Sequence, residues 1–289
     1  MITFPWATSQ FNIAEFVIVG VTDESGSNAK RKGTSFAPLQ IRKISNERDV
    51  FIRNNEKNIV QTQCCQINRH IHDAGNFTKA TLKSEIKKII EHKKIPITIG
   101  GDHSITSEVL WAINNRQSHS NKNKKFSLIY FDAHPDMICS EKKYYGSVIC
   151  DVAWFDCINI KKSAILGIRA PEKEEISNLI KRKMNSFTSL DFAELGTKRI
   201  YSKLKKIIGK NPVYISIDMD AIDPSFAPGV STPEPFGINP LDLLWLCKKL
   251  AANGLVGLDI MEVCPPHDID NRTAHLASKL ILETIESCK

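Results

Sequence analysis

The sequence predicts an α/β fold with a largely parallel sheet in a single domain. Short apolar runs rich in β-branched residues alternate with longer segments of helical periodicity, which is typical of βαβ units. The apolar runs are mostly continuous, as in strands that are covered on both faces. The chain has 289 residues, of which 42% are hydrophobic and 25% are charged. This length and composition suit one large globular domain, which we expect to span residues 1–289.

Six apolar runs are predicted strands, and a weaker seventh run is a further candidate. The six lie at residues 16–21, 95–99, 126–131, 164–168, 213–217 and 255–260, and the weaker one lies at 58–61. Three segments between or after them have helical periodicity, at residues 81–94, 239–254 and 271–288. In the second helix, Asn239 is the predicted N-cap, Pro240 occupies the first helical position and Gly254 marks the end. The polar stretch 116–125 is predicted to be a surface loop.

The charge and the cysteines indicate a soluble intracellular protein. The net charge is +7, but the lysines are scattered over helices and loops, which favours a solvated surface over a nucleic-acid site. No apolar run approaches the length of a membrane span, and the N-terminal residues do not resemble a secretory signal. The eight cysteines form no CxxC pair with the spacing of a zinc site. A reducing cytoplasm is therefore the simplest expectation.

Four predicted strands are each followed by acidic or histidine residues. In open parallel sheets, ligands bind just beyond the carboxyl ends of the strands. The residues in question are Asp102 and His103, then Asp132, His134 and Asp136, then Asp218 and Asp220, and finally Glu262. We expect these side chains to meet at one edge of the sheet.

The spacing of these residues predicts a metal centre. Residues two apart in extended backbone project to the same side, so Asp132 can face the same point as His134, and Asp218 the same point as Asp220. The glycines of "GGDHS" are expected to let the backbone turn tightly toward them. Several buried carboxylates cannot all ionise unless cations compensate them. Oxygen-rich donors with two imidazoles and no thiolate favour two Mn²⁺ ions, which would activate a water molecule near neutral pH.

Each of these motifs also has a simpler interpretation. A "DxHxD" or "DxD" run alone is often a solvated loop with turn-forming aspartates, and Asp102 could cap the helix that follows it. Their occurrence at four matching strand ends favours the metal interpretation.

The motifs together resemble those of the ureohydrolase family, which contains arginases, agmatinases, guanidino-acid hydrolases and formiminoglutamases. The similarity covers nearly the whole chain. It rests on "GVTDESGSNAKRKGTSFAPLQIRKIS" at 20–45, "GGDHS" at 100–104, "DAHPD" at 132–136, "LGIRAPEKEE" at 166–175, "SIDMDAIDPSFAPGVSTPEP" at 216–235 and "MEVCPP" at 261–266. The resemblance implies a three-layer α/β/α fold with a central sheet of about eight strands, and assembly into homotrimers or homohexamers.

The resemblance also implies roles for individual residues. One manganese would be bound by His103, Asp132, Asp136 and Asp218, and the other by Asp132, His134, Asp218 and Asp220. A water activated by the two metals would attack the guanidinium carbon, and the products would be urea and an amine. Glu262 would bind the guanidinium group, since a carboxylate accepts hydrogen bonds from that planar cation bidentately. Asp223 is predicted to be a turn residue.

The segment "STPEPFG" at 231–237 resembles the form found in agmatinases rather than in arginases. The resemblance places substrate contacts at Ile138, Thr232 and Glu234. Arginases carry an asparagine at the position of Ile138 that contacts the α-carboxylate of the substrate, and isoleucine cannot make that hydrogen bond. Agmatine, which lacks this carboxylate, is therefore the favoured substrate.

One position departs from the pattern of the family. Tyr145 occupies the place of a histidine that is thought to pass a proton to the leaving amine, and tyrosine is the poorer proton shuttle at neutral pH. The proton could come from solvent or metal-bound water, from Tyr145 or a nearby histidine, or the substrate could differ. A formiminoglutamase, with Lys142 and Lys143 near the carboxylates of its substrate, is the main alternative. A metal-binding homologue without turnover is the second.

Overall fold

A computed structural model describes residues 2–47, 52–53, 60–61, 67–120 and 125–289. Its centre is a sheet of eight strands in which every neighbouring pair is parallel. The strands of this sheet are β1 (Phe16–Val21), β4 (Ile71–Phe77), β5 (Ile95–Ile99), β6 (Ser127–Phe131), β7 (Ala164–Ile168), β8 (Asn185–Thr188), β9 (Val213–Asp218) and β10 (Leu255–Met261). Their spatial order is β4-β1-β5-β10-β9-β6-β7-β8. The short strands β2 (Ile52–Arg53) and β3 (Val60–Gln61) form a separate antiparallel pair.

Helices cover both faces of the sheet. They are α1 (Ala37–Glu47), α2 (Lys79–Glu91), α3 (Ser104–Ser120), α4 (Val148–Val152), α5 (Lys173–Arg182), α6 (Ser189–Leu195), α7 (Thr197–Ile208), α8 (Pro240–Ala251) and α9 (Arg272–Glu286). One hydrophobic cluster joins the sheet to α1 and α7 to α9, and a second joins it to α2, α3 and α4. Strand β6 contributes to both clusters, with Ile129 in the first and Tyr130 in the second. The predicted three-layer α/β/α fold is confirmed.

The structure contains all six predicted apolar strands and adds two at the edges of the sheet. The added strands are β4 and β8, whose sequences "IHDAGNF" and "NSFT" are interrupted by polar residues. Edge strands are covered less completely than central ones, so they do not form the continuous apolar runs by which the central strands were recognised. The weaker candidate 58–61 is not part of this sheet. Its last two residues form β3, and residues 58–59 lie outside the described part of the chain.

The helix predictions agree with the structure at their centres and differ at some ends. Asn239 is the N-cap of α8, and its side chain accepts a hydrogen bond from Leu241 N. The loop prediction at 116–125 is wrong in its first half, because α3 continues to Ser120. Residues 121–124 lie outside the described residues. Polar residues at the end of a helix have the same composition as a loop, so composition alone did not separate the two.

A disulfide joins Cys139 to Cys150, with their Cα atoms 5.4 Å apart. It closes the loop between the end of the β6 segment and helix α4. Nothing in the spacing of the cysteines predicted this pair, and the expectation of reduced cysteines did not include it. Cys157, Cys247, Cys264 and Cys288 are free and buried, and Cys64 and Cys65 lie outside the described residues. Among the described helices, none is long and apolar enough to cross a bilayer.

Candidate metal centre and substrate site

The candidate site lies at the carboxyl ends of the four central strands. Strands β5, β10, β9 and β6 are consecutive neighbours in the sheet, and they are the strands after which the sequence placed acids and histidines. Because all four are parallel, their carboxyl ends meet at the same edge. The predicted residues are therefore brought together by the strand order, which the sequence did not reveal.

His103 is surrounded by three carboxylates. Its Nδ1 atom lies 3.1 Å from Asp218 Oδ2, 3.2 Å from Asp132 Oδ2 and 3.6 Å from Asp136 Oδ2. All four side chains are buried. These residues come from the ends of β5, β6 and β9, so the group links three strands.

A second group forms around His134. Its Nδ1 atom lies 3.1 Å from Asp220 Oδ2 and 3.4 Å from Asp132 Oδ1. Asp132 thus presents one oxygen to the His103 group and the other to the His134 group. Two sets of residues therefore have potential metal ligands close together. Within each set, the ligand atoms lie within 4.8 Å of one another; the sets are His103, Asp132 and Asp136, and Asp132, His134 and Asp220.

Turns, rather than extended backbone, bring the paired residues together. Asp132 Oδ1 accepts a hydrogen bond from His134 N at 2.6 Å, and Asp218 Oδ1 accepts one from Asp220 N at 2.7 Å. Each aspartate therefore closes a turn over the residue two positions later, and Asp220 lies in the 3-10 helix Met219–Ala221. The expectation that alternation along a strand aligns these pairs is wrong, although the pairs do converge.

The glycines before His103 are required for close packing. A Cβ atom on Gly101 would lie 1.8 Å from the carbonyl oxygen of Asp23, and one on Gly100 would lie 1.9 Å from Met261 Sδ. Positive φ values occur instead at Asp136 (51°) and Glu262 (64°). Non-glycine residues rarely adopt this conformation, so the surrounding structure must hold these two residues in place.

A chain of hydrogen bonds orients the His103 ring. Ser216 Oγ donates to Asp259 Oδ1 at 2.6 Å, so the same hydroxyl oxygen is left to accept a bond from His103 Nε2 at 2.9 Å. Asp259 Oδ2 in turn accepts from Tyr214 Oη and Thr106 Oγ1. The proton on Nε2 leaves the lone pair of neutral His103 on Nδ1, which is the atom that faces the carboxylates. Such relays behind a histidine are common around bound metals.

The buried carboxylates have strongly displaced pKa values. Burial, followed by repulsion from Asp132, raises the pKa of Asp136 well above its usual range. Burial and repulsion from Asp220 do the same to the pKa of Asp218. Burial lowers the pKa of His103, but contacts with Asp132 and Asp218 raise it by more, so that the net pKa lies well above normal. The cluster therefore attracts positive charge to the point that His103 Nδ1 faces.

The residues of the cluster fit a pair of divalent cations. Asp132 Oδ2 is buried and accepts no hydrogen bond from any described residue. An unsatisfied buried carboxylate oxygen is costly unless a cation binds it. The donors are aspartate oxygens and imidazole nitrogens, a combination that suits Mn²⁺ and related ions. His103, Asp132, Asp136 and Asp218 could hold one ion, and Asp132, His134, Asp218 and Asp220 the other.

Glu262 lies beside the cluster and is fully buried. Its Oε1 atom accepts a hydrogen bond from His103 N at 2.8 Å, and its Oε2 atom accepts one from Ser231 Oγ. Burial, followed by repulsion from Asp102, raises the pKa of Glu262 to about 8. Asp102 itself caps α3, because its Oδ1 atom accepts from Ser104 N.

Tyr145 and Ile138 lie on the loop that follows the cluster. Tyr145 N donates to the carbonyl oxygen of Gly26 at 3.1 Å, and Ile138 N donates to that of Gly146 at 3.1 Å. Burial, followed by the charge of Glu262 and then of Asp136, raises the pKa of Tyr145. The hydroxyl group of Tyr145 is therefore a neutral neighbour of Glu262 and Asp136 at physiological pH.

Thr232 and Glu234 are placed differently from each other. Thr232 Oγ1 donates to Asp220 Oδ2 at 3.0 Å, so it supports a residue of the cluster. Glu234 contributes its backbone, whose carbonyl oxygen accepts from Arg169 Nη2 at 2.7 Å. Arg169 also donates to the carbonyl oxygens of Asp220 and Pro235, and so it ties the loop after β9 to the end of β7. Asp223 closes a turn, as predicted, by accepting from Ser225 N and Gly237 N.

Sequence reasoning missed several residues that shape the site. Ser216 and Asp259 lie inside the apolar strands β9 and β10, and Tyr130 lies inside β6. The Tyr130 hydroxyl donates to Asp136 Oδ2, and its ring stacks on His103 with the ring centroids 4.5 Å apart. The one available signal was an acid in the middle of the apolar run "VGLDIM", since a buried acid needs partners.

The fold and this cluster together define an arginase-fold protein with a candidate metal centre. Comparison with known protein families agrees with this assignment, because residues 14–286 match the arginase family. The chain therefore belongs to the arginase family.

Individual relatives are similar over most of their length. A guanidinobutyrase of Pseudomonas aeruginosa is 27% identical over 96% of this chain and 87% of the relative. An agmatinase of Cronobacter sakazakii is 28% identical over 94% of this chain and 87% of the relative. The crystal structure of the agmatine ureohydrolase of Thermoplasma volcanium superposes with a TM-score of 0.83 at 28% identity, and the match covers 99% of this chain and 94% of that chain.

Proposed function

We propose that this protein is a Mn²⁺-dependent hydrolase that cleaves a guanidino C–N bond and releases urea and an amine. The observation that carries the proposal is the position of Asp132, whose two oxygens face two separate groups of histidine and carboxylate ligands. Two bound divalent cations would supply Lewis acidity and a nucleophilic water at neutral pH. Residues 1–289 would act as one catalytic domain.

The residues of the chain would bind and orient the guanidinium group. Glu262 is held by the amide of His103 and the hydroxyl of Ser231, so its carboxylate is fixed in one orientation. Each of its oxygens retains a lone pair for a substrate N–H group, and the planar guanidinium suits such a bidentate acceptor. A cationic substrate beside Glu262 would favour the ionised carboxylate and so offset the effect of burial on its pKa.

Agmatine is the first substrate that the sequence suggests, and it would yield putrescine. The support is the agmatinase-like "STPEPFG" segment and the apolar side chain of Ile138. A second candidate is a guanidino acid, because a cationic side chain lies in the cavity beside Ile138, as argued below. A formimino substrate and a metal-binding protein without turnover are the remaining alternatives.

Turnover by the Mn²⁺-loaded protein tests this proposal. The panel contains agmatine, guanidinobutyrate, guanidinopropionate, arginine, guanidine and formiminoglutamate, with urea assayed for the guanidino compounds and formamide for the last. Urea from any of the guanidino compounds supports the proposal, and the preferred compound identifies the substrate. Formamide release would favour the formiminoglutamase alternative. No product from any compound, with two metals bound, would contradict hydrolysis.

We also propose a cytoplasmic location and a homotrimeric or homohexameric assembly. The location rests on the cysteine pattern of the sequence, and the assembly rests on the resemblance to the family. Analytical ultracentrifugation of the purified protein tests the assembly, and a monomer at micromolar concentration would contradict it.

A further inference from the structure

A cavity of about 320 Å³ lies between residues 25–28 and the loop that follows Asp136. Polar side chains from two segments line it, together with the apolar parts of Ile138 and Tyr144. The polar lining residues are Ser25, Asn28, Ser140 and Lys142. We call this space the tail cavity.

Both segments that line the tail cavity are connected to the metal cluster. Gly26, in the first segment, donates its N–H to Asp102 Oδ2 at 2.9 Å, next to His103. In the second segment, Ile138 follows Asp136 by two residues, and Tyr145 N bonds back to the carbonyl oxygen of Gly26. A substrate whose guanidinium group is bound at Glu262 would therefore extend its other end toward this cavity.

Lys142 is the one charged side chain among the described residues that line the cavity. In the described part of the chain it forms no ion pair. The adjacent Lys143 is different, because its Nζ atom lies 3.6 Å from Glu108 Oε1. Glu108 also pairs with Lys83 at 2.5 Å. Of the two consecutive lysines, Lys143 therefore pairs with an acid and Lys142 lines the cavity.

No acidic side chain lines the tail cavity among the residues that the structure describes. The neighbouring acids in the first segment already accept hydrogen bonds, and Asp23 also lies 3.9 Å from Lys79 Nζ. Asp23 Oδ1 accepts from the N–H and hydroxyl groups of Ser25, and Glu24 Oε2 accepts from Gly33 N. Glu141 is exposed and is not part of the lining. An ammonium group in this cavity would meet Lys142, and none of the described lining residues is a carboxylate that could balance it.

We propose that Lys142 makes the tail cavity a carboxylate subsite, so that the protein prefers ω-guanidino carboxylic acids to guanidino amines such as agmatine. The inference rests on the proposed function, because it concerns the far end of the same substrate. Asn28 and Ser140 can donate hydrogen bonds to the carboxylate. Ile138 provides an apolar contact for the methylene chain. Since exposed ion pairs contribute little individually, the difference between attraction and repulsion amounts to about a tenfold preference.

The test compares kcat/KM for urea release from guanidinobutyrate and from agmatine. The variants are Lys142→Met and Lys142→Glu, with Lys143→Met as the matched control. The wild type is expected to favour guanidinobutyrate by about tenfold. Lys142→Met removes most of that preference through a higher KM for guanidinobutyrate, and Lys142→Glu shifts the preference toward agmatine. Lys143→Met leaves the ratio unchanged.

The outcomes separate this inference from the proposed function. Urea from agmatine in preference to guanidinobutyrate, with a ratio that does not respond to Lys142→Glu, overturns the carboxylate subsite and leaves the hydrolase proposal intact. If neither compound yields urea, calorimetric binding of aminobutyrate and putrescine to the Mn²⁺-loaded protein decides the question. Tighter binding of aminobutyrate that is lost in Lys142→Met supports the subsite, and equal binding of the two amines overturns it.

Discussion

Asp132 is the residue on which the charge balance of the site depends. It faces both His103 and His134, and its Oδ2 atom has no hydrogen-bond partner in the described structure. Burial raises the pKa of Asp132, but the contacts with these two histidines lower it by more, so that the net pKa lies below the usual range. An ionised carboxylate between two imidazoles is suited to bridge two cations.

Asp132→Asn removes that negative charge while keeping the size of the side chain. We expect the loss of at least one bound metal and a fall in kcat of more than about 100-fold, since even residues behind the ligands contribute 10- to 100-fold. Metal content by mass spectrometry and urea release are measured together. The control is Asp156→Asn, at an exposed acid outside the site. Full activity of Asp132→Asn would exclude a bridging role.

Ser216→Ala breaks the hydrogen bond that fixes the His103 ring. Without the serine hydroxyl, His103 Nε2 loses its acceptor, and Asp259 loses one of its donors. We expect metal affinity to fall by about 10- to 100-fold with the fold retained. Titration of the metal-depleted protein with Mn²⁺ measures this. Unchanged affinity would show that the relay does not position His103.

Tyr145→His introduces a group that titrates near neutral pH. The raised pKa of Tyr145 makes its hydroxyl a poor proton shuttle, whereas histidine has a pKa of about 6.5 when unperturbed. We expect kcat to be preserved or raised. Loss of turnover in a variant that keeps both metals would instead assign Tyr145 a catalytic or recognition role of its own.

At the scale of residues, the sequence located the acids and histidines at the strand ends but not the groups behind them. The acids and histidines occur in clusters after four strands, and such clusters are improbable among surface residues placed at random. Ser216 and Tyr130 are single polar groups within apolar strands, where a partner across the sheet cannot be read from spacing. The partners of Asp259 likewise come from separate segments of the chain.

At the scale of elements, the loop from Cys139 to Cys150 connects the metal cluster to the tail cavity. It contains Lys142 and Tyr145, and the disulfide closes it. Two backbone hydrogen bonds, from Tyr145 N to Gly26 O and from Ile149 N to Asp136 O, also hold it. The loop is therefore fixed to both the metal cluster and the tail cavity.

Reducing the disulfide should affect substrate binding more than chemistry. A closed loop of this length stabilises a fold by about 2 to 3 kcal/mol, mainly by restricting the unfolded chain. We expect a Cys139→Ser, Cys150→Ser variant to have a lower free energy of unfolding and a several-fold higher KM, with kcat little changed because the ligands remain in place. Equal KM values for the variant and the wild type would show that the backbone hydrogen bonds suffice.

The elements that the sequence missed are those with least apolar surface. The central strands are covered on both faces and so appear as continuous apolar runs, whereas β4 alternates buried and partly exposed residues. Asn239 with Pro240 was a sufficient start signal for α8. The end of α3 could not be found, because its last turns are as polar as a loop.

At the scale of the whole molecule, the strand order creates the site. Residues separated by more than a hundred positions, such as His103 and Asp218, become neighbours because β5, β10, β9 and β6 are adjacent. The same edge gathers so many carboxylates that the fold needs compensating positive charge there. Catalytic activity is therefore expected to increase with the number of metal ions bound per chain.

The most direct test is urea release as a function of bound Mn²⁺ per chain, with guanidinobutyrate and agmatine as substrates. Metal-depleted protein is titrated with Mn²⁺, and metal content and initial rate are measured on the same samples. We expect activity to appear with the metal and to reach its maximum at two ions per chain. A maximum at one ion would contradict a dinuclear centre, and no urea from these two or any other guanidino compound of the panel with two ions bound would contradict a guanidino hydrolase.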